Sequence, residues 1–233
     1  RAVGGAVTVA AFIGVGSTDG SFTVAGAAGN DMIDNLTGSN IGQIMEVFKL
    51  TEYNDRFVGT GYAETVLAGS GDDTIQTGSL DGATQSFNDS IDGGAGNDWL
   101  DYTYTAQYVT VDMVNGNAVV NSSPSEASTG TFAAIDRFVN IENIRTGAVA
   151  DSIVGNSVAN IIDAGNGNNT VNGGDGNNTI LAGTGNDIIV AGINDDIINA
   201  GNGTNTISSG AGNDSINLVV GADTINAGSG IDT

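Results

Sequence analysis

The chain contains no cysteine and no histidine. Their absence removes disulfides, thiol chemistry, zinc sites of the usual ligand types and any histidine-based catalytic triad. Proline occurs once, at Pro124, and aromatic residues make up 6% of the 233 residues. So few rings, with so little proline, suit many tight turns and short strands rather than packed helices. Basic residues are scarce: Arg1, Lys49, Arg56, Arg137 and Arg145 face 27 acidic residues, the net charge is -22, and no cation follows residue 145. Nucleic acid and anionic lipid need clustered Lys and Arg to replace counterions, so both are poor partners for this chain. No run of about 18 apolar residues offers a transmembrane helix. The chain also lacks a G-x-S-x-G elbow, an H-E-x-x-H pair and a phosphate-cradling G-x-x-x-x-G-K loop.

What is present is glycine, 37 residues of it, together with a hydrophobic content of 39%. High negative charge by itself suggests a solvated, disordered chain. Here the apolar residues fall on a strict beat, which a disordered chain has no reason to keep. Cut in nines from Gly155, the sequence reads GNSVANIID, AGNGNNTVN, GGDGNNTIL, AGTGNDIIV, AGINDDIIN, AGNGTNTIS, SGAGNDSIN, LVVGADTIN and AGSGIDT, with no gap. The eighth slot holds Ile162, Val171, Ile180, Ile189, Ile198, Ile207, Ile216 and Ile225. The sixth holds Asn160, Asn169, Asn178, Asp187, Asp196, Asn205, Asp214, Asp223 and Asp232. The register runs backward through TGAVADSIV (Asp151, Ile153) and RFVNIENIR (Glu142, Ile144). An earlier block keeps the beat in other frames: GAAGNDMID at 26–34, GTGYAETVL at 59–67, AGSGDDTIQ at 68–76 and GGAGNDWLD at 93–101, interrupted by TGSLDGA at 77–83.

Nine residues suit a three-residue strand and a six-residue turn. Side chains alternate along a strand, so the slot-eight residue forms the core, while Gly in slots two and four supplies the positive φ that the reversals need. A single repeat cannot bury its Ile, but stacking at about 4.8 Å yields parallel sheets on two sides of a thin solenoid. Stacking also sets the slot-six carboxylates of neighbouring turns beside one another, where they repel unless a cation intervenes. Calcium fits, since it takes six to eight oxygen ligands of the kind that carboxylates and turn carbonyls provide.

GGAGNDWLD, AGTGNDIIV and SGAGNDSIN resemble the G-G-x-G-x-D-x-U-x nonapeptide of the RTX (repeats-in-toxin) family, continuously over residues 146–233 and in pieces over 26–101. The stretch from LDYTYTAQYVTVDMVNG to NIENIRTGAVADSIVGNSVANIIDAG is similar to the spacer found between RTX blocks. The resemblance implies a parallel β-roll with two nonapeptides per turn, calcium between successive turns, secretion, and folding after export into calcium. The chain departs from the motif in having Asn at 160, 169, 178 and 205, and Ala in slot one at 164, 182, 191, 200 and 227. With two nonapeptides per turn, one edge carries Asp151, Asn169, Asp187, Asn205 and Asp223, and the other Glu142, Asn160, Asn178, Asp196, Asp214 and Asp232. Consecutive aspartates occur on the second edge alone, so calcium should bind most firmly at its C-terminal end.

The expected fold is all-β, a parallel β-roll or β-solenoid of stacked nonapeptides with an irregular, mainly β, N-terminal and middle region. It divides into an apolar strand region (1–25), an interrupted repeat block (26–101), a spacer (102–136) and a continuous roll (137–233). Expected calcium ligands are Asp31, Asp73, Asp89, Asp98, Asp151, Asp187, Asp196, Asp214, Asp223 and Asp232, with Gly183, Gly185, Gly210, Gly212, Gly228 and Gly230 in the turns. Carboxylate pairs such as Asp72 with Asp73 or Asp195 with Asp196 belong to this ladder rather than to acid–base catalysis. Trp99, Tyr102, Tyr104 and Tyr108 read as cover for the end of a repeat block rather than a sugar-binding patch. Thr170, Thr206 and Thr224 form no ice-binding array, because Ile188 interrupts their file.

These observations point to an extracellular or cell-surface, calcium-binding structural protein, not an enzyme: a filament subunit, surface-layer component or adhesin rod. The alternative is the C-terminal RTX part of a secreted protease, lipase or toxin. The final repeat AGSGIDT stops midway, which suggests end-to-end self-association, with the apolar residues 6–16 pairing against or covering an exposed repeat.

Overall fold

A computed structural model describes residues 22–25, 32–33, 46–59, 63–78, 88–121 and 134–233 of the chain. Within them lie twenty-one strands and no helix. In chain order these are β1 (Phe22–Ala25), β2 (Met32–Ile33), β3 (Glu46–Lys49), β4 (Arg56–Val58), β5 (Glu64–Leu67), β6 (Thr74–Gln76), β7 (Ser90–Asp92), β8 (Trp99–Asp101), β9 (Tyr108–Asp112), β10 (Asn117–Asn121) and β11 (Ala134–Val139). They continue as β12 (Asn143–Arg145), β13 (Ser152–Val154), β14 (Ile161–Asp163), β15 (Thr170–Asn172), β16 (Thr179–Leu181), β17 (Ile188–Ile193), β18 (Ile197–Gly201), β19 (Thr206–Ala211), β20 (Ser215–Leu218) and β21 (Thr224–Asn226). The apolar stretch 6–16, with its expected part in end contacts, lies outside the described residues. The chain divides into two compact units, Arg1–Tyr104 with Ala133–Ile141, and Thr105–Phe132 with Glu142–Thr233.

The second unit shows why the nine-residue beat produces this fold. Strands β13, β15, β17, β19 and β21 line one parallel sheet, and β12, β14, β16, β18 and β20 the other. Ser152 pairs with Thr170, Thr170 with Ile188, Ile188 with Thr206 and Thr206 with Thr224. On the facing sheet Ile144 pairs with Ile162, Ile162 with Ile180, Ile180 with Ile198 and Ile198 with Ile216. Every partner is two nonapeptides away, so one turn of the roll consumes two repeats. Alternate nonapeptides go to opposite sheets.

Strand alternation decides what each slot meets. Slot eight points inward, and Ile144, Ile153, Ile162, Val171, Ile180, Ile189, Ile198 and Ile207 are all buried. Counting in twos from slot eight also brings slot six and the following slot one inward. Ala164, Ala182, Ala191 and Ala200 in slot one are fully buried, so the alanine that departs from the repeat consensus is a second core file rather than a weakened turn. Ile225, on the last strand of its sheet, is 42% exposed. The outward file reads Thr170, Ile188, Thr206 and Thr224, with Ile188 52% exposed among the threonines.

The turns are made where glycine sits. Gly183 and Gly185 have φ of 77° and 144°. A Cβ on either would run into the carbonyl oxygen of the equivalent glycine one turn earlier, Gly165 or Gly167. Asn140 and Asn194 stand in slot four where the repeat omits glycine, and both adopt positive φ, 54° and 82°. Asn tolerates this region best among residues with a Cβ. Within the same unit β9 and β10 form an antiparallel hairpin, and β9 also pairs in parallel with β13, Val111 opposite Ile153. A non-repeat strand thereby stands in the place of a nonapeptide, with Val109 and Val111 buried.

In the first unit β1, β3, β5, β7 and β11 form one parallel sheet and β2, β4, β6 and β8 another. Arg56 pairs with Thr74 and Thr74 with Trp99, while Thr65 pairs with Ser90. The wider spacing of the latter two pairs is the eighteen-residue turn plus the seven-residue interruption at 77–83, which leaves strand register intact. Phe48 and Phe57, fully buried with ring centroids 4.8 Å apart, fill the core between the sheets.

Candidate metal centre

Because slot six faces inward, its side chain cannot be solvated. Asp73, Asp89, Asp98, Asp151, Asp187, Asp196 and Asp214 are each at most 2% exposed. One oxygen of the pair is engaged within the fold, since Oδ1 accepts a backbone N–H from the turn before. On one edge of the second unit Asp151 N–H donates to Asn169 (2.9 Å), Asn169 to Asp187 (2.8 Å), Asp187 to Asn205 (2.9 Å) and Asn205 to Asp223 (2.8 Å). On the other, Asn160 donates to Asn178 (3.0 Å), Asn178 to Asp196 (2.7 Å), Asp196 to Asp214 (2.9 Å) and Asp214 to Asp232 (3.0 Å). The first unit repeats the device, with Asp55 donating to Asp73 (2.7 Å), Asp73 to Asp98 (2.7 Å), Glu64 to Asp89 (2.8 Å) and Asp89 to Asp136 (3.1 Å).

The second carboxylate oxygen is the anomaly. Oδ2 of Asp73, Asp89, Asp151, Asp187, Asp196 and Asp214 is buried with no hydrogen-bond partner. An uncompensated buried carboxylate costs several kcal/mol, about 3–5 when one partner of a buried pair is missing. The protein's own response is visible in the acid strengths. Burial pushes the Asp73 carboxyl up to about 7, and Asp151 and Asp196 to about 6, while Asp187 is raised for the same reason. Burial, with the charges of Asp136 and Glu64, raises Asp89 as well. A cation among these oxygens would remove the penalty.

The donor set favours a hard cation. Among the described residues no three acidic side chains converge as a metal cluster, so backbone carbonyls must complete any coordination shell. Calcium accepts that mixture of carboxylate and carbonyl oxygen and tolerates irregular geometry. Gly183, Gly185, Gly210, Gly212, Gly228 and Gly230 all have positive φ in the turns beside the ladder. The carbonyls of Gly183 and Gly210 each accept one N–H, from Asn202 and Ser229 at 3.1 and 3.0 Å, and a carbonyl retains a second lone pair.

Of the residues expected from the sequence, Asp31 lies outside the described residues. Asp196, Asp214 and Asp232 share one file, as do Asp73 and Asp98 in the first unit, whereas Asn205 separates Asp187 from Asp223 and Asn169 separates Asp151 from Asp187. Asp223 and Asp232 are half-buried. Asp55 and Asp136 were missed, although the repeated tetrapeptide Asp-Arg-Phe-Val at 55–58 and 136–139 signals both. Neither has the open second oxygen: Asp55 Oδ2 accepts Thr51 N–H (2.7 Å) and Oγ1–H (2.8 Å), and Asp136 Oδ2 accepts the Tyr102 hydroxyl (2.7 Å). Tyr102 is fully buried and Tyr104 shares a hydrogen bond with Thr77 Oγ1 (3.0 Å), so these rings serve the interior.

Slot five carries a ladder that the sequence did not disclose. Its oxygen accepts from the turn that follows rather than the one before: Asn186 N–H donates to Asn168 (2.8 Å), Thr204 to Asn186 (2.8 Å), Asn213 to Asp195 (2.7 Å) and Ile231 to Asn213 (3.0 Å). The turns joined by these bonds are thus held by two side-chain ladders running in opposite directions, one exposed and one buried.

Comparison with known families agrees with this geometry. A family model of the RTX calcium-binding nonapeptide repeat, four copies long, matches residues 51–79, 84–102, 145–180, 172–207, 181–216 and 201–233. No curated protein matches the chain.

Proposed function

The chain belongs to the RTX calcium-binding nonapeptide repeat family, whose repeats bind calcium, and from that premise we propose that it is a secreted structural protein that calcium locks into a stiff roll. The observation that carries this reading is the file of buried carboxylate oxygens without a partner. Asp73, Asp89, Asp98, Asp151, Asp187, Asp196, Asp214, Asp223 and Asp232 would hold the ions, with turn carbonyls from Gly183, Gly185, Gly210, Gly212, Gly228 and Gly230 completing the shell. Bound calcium supplies charge neutralisation and a bridge between turns. The chain's own residues hold the strands in register and keep the oxygens dry.

An extracellular or cell-surface location suits this chemistry, because calcium there reaches the level that modules with dissociation constants of about 10⁻⁴–10⁻³ M require. A structural role rather than catalysis is supported by the fate of the acidic residues: the inward carboxylates are members of the buried slot-six ladder. The family itself is a calcium-binding repeat. End-to-end association into a filament, surface layer or adhesin rod is the assembly we favour, since parallel strands in constant register extend without limit.

Light scattering and electron microscopy of the purified chain in calcium and in chelator test the proposal. Long assemblies in calcium that vanish in chelator are expected. A monomer at every calcium concentration would remove the assembly and favour the other role open to such repeats, the C-terminal portion of a secreted protease, lipase or toxin.

A further inference from the structure

We propose that the slot-six asparagines are internal substitutes for the cation, so that the three consecutive repeats carrying Asn160, Asn169 and Asn178 close without metal and form a folded template on which the aspartate turns stack when calcium enters. The inference rests on the calcium reading of the aspartate turns and adds to it a division of labour within one roll.

Asn and Asp are equivalent in the first half of the device. Asn169, Asn178 and Asn205 present Oδ1 to the N–H one turn earlier at 2.9–3.0 Å, as the aspartates do. They differ in the second atom. Where Asp187, Asp196 and Asp214 leave a buried Oδ2 with no partner, the asparagines place an N–H donor. Asn160 reaches the same end with its amide turned over: its Oδ1 accepts Asn156 N–H (3.0 Å), while its Nδ2 donates to the Glu142 carbonyl one turn earlier (2.7 Å) and to Asn156 Oδ1 (3.0 Å). Asn169 Nδ2 donates to the carbonyls of Ala182 (3.2 Å) and Gly165 (3.5 Å). Asn178 Nδ2 donates to those of Gly176 (3.0 Å) and Ala191 (3.3 Å). A positive dipole end thus meets the inward carbonyls that a cation would otherwise draw together, and no net charge is buried.

The first unit uses the same principle with other donors, Thr51 at Asp55 and the Tyr102 hydroxyl at Asp136. Position along the chain gives the device its consequence. Slot six reads Asn three times in succession at 160, 169 and 178, then Asp at 187 and 196. The asparagine repeats bury Ile162, Val171 and Ile180, and β15 and β16 offer their edges to β17 and β18 in register, Val171 to Ile189 and Ile180 to Ile198. Ordering in calcium then begins from a preformed edge, which avoids the unfavourable first step of building a turn from disordered chain.

Hydrogen exchange on the full chain, in calcium and in chelator, tests this. In chelator the amides of Ile161–Asp163, Thr170–Asn172 and Thr179–Leu181 should exchange at least about tenfold more slowly than those of Ile188–Ile193, Ile197–Gly201 and Ser215–Leu218, which follow Asp187, Asp196 and Asp214, and in calcium both sets should be protected. Asn178→Asp should abolish the first set's protection in chelator, recover it in calcium, and raise the calorimetric calcium count by about one ion. Asn172→Asp makes the same charge change on an exposed slot-nine side chain and should do none of these. Equal loss of protection in both sets on chelation overturns the template while leaving the calcium reading intact. Equal retention in both sets overturns the calcium reading of the aspartate turns and the template with it. If Asn178→Asp behaves like Asn172→Asp, the amide is not the cation's substitute.

Discussion

At the residue scale, function turns on one atom per repeat. The Oδ1 atom of slot six, in the aspartates and in Asn169, Asn178 and Asn205 alike, holds adjacent turns together, whereas the second atom decides whether a turn needs metal. Asp196→Asn should therefore keep the fold in calcium and lower the bound calcium by about one ion, because the ladder bond from Asn178 survives and the orphaned oxygen is gone. Calorimetric titration measures it, and an unchanged stoichiometry would show that turn carbonyls alone fix the ion. Asp214→Ala should weaken calcium more than Asn205→Ala, since Asp214 stands between Asp196 and Asp232 while Asn205 carries no charge. Equal losses would again point to the carbonyls.

The acid strengths add a pH dependence whose sign follows from linkage. Burial raises Asp73 to about 7 and Asp151 and Asp196 to about 6, above the ordinary carboxylate value of 3.8, so the metal-free fold binds protons that the unfolded chain releases. Their contribution to the metal-free fold is full below about pH 4 and is lost as pH rises through about 6 to 7. In chelator the protein should melt higher at pH 5 than at pH 8. Calcium competes with these protons, so its binding should release protons near pH 6 and weaken as pH falls. Melting curves at the two pH values, with and without calcium, measure both effects, and a metal-free melting point that rises with pH would contradict the assignment.

At the scale of the element, a three-residue strand is too short to be stable alone and depends on what it stacks against. Along a strand, slot six, slot eight and the slot one that follows bring a polar ladder residue, a large apolar residue and, as at Ala164, Ala182, Ala191 and Ala200, a small one to the interior. Ile198→Ala, at a fully buried slot eight, should destabilise the calcium-loaded protein by about 2–5 kcal/mol. Ile188→Thr, one position before the core file and 52% exposed, should change stability by no more than about 0.5 kcal/mol. Denaturant unfolding of both variants in calcium measures the contrast, and similar losses would mean that the outward face is covered in the assembled protein.

For the whole molecule, the dominant fact is a charge of -22 with no cation beyond residue 145. Stacking sets the slot-six carboxylates of successive turns beside one another, so the counter-charge has to come from solution. Circular dichroism should show strand signal that is partial in chelator and rises with calcium to saturation. A spectrum unaffected by excess chelator would remove calcium as the folding partner.

The sequence alone determined the nine-residue period, the slot-eight core and the slot-six file, because all of these follow from local periodicity, which one chain displays in full; the two-repeat turn was implied by the family resemblance and fixed by strand pairing two nonapeptides apart. It also marked the glycine positions, where backbone conformation dictates residue type. Tertiary structure decided the rest. Slot six proved to be buried because it shares strand parity with slot eight, and Oδ1 and Oδ2 could be told apart after the neighbouring turn was in place. The reversed slot-five ladder keeps the eighteen-residue period, and its direction was set by the stacked turns. The pairing of β9 with β13 and of β11 with β7, and the use of Tyr102 at Asp136, each join residues whose separation in the chain has no fixed period. Such contacts depend on which segment inserts between two turns, and periodicity carries no information about an insertion. The same limit explains the asparagines, which the sequence shows as missing charge and the fold shows as supplied donors.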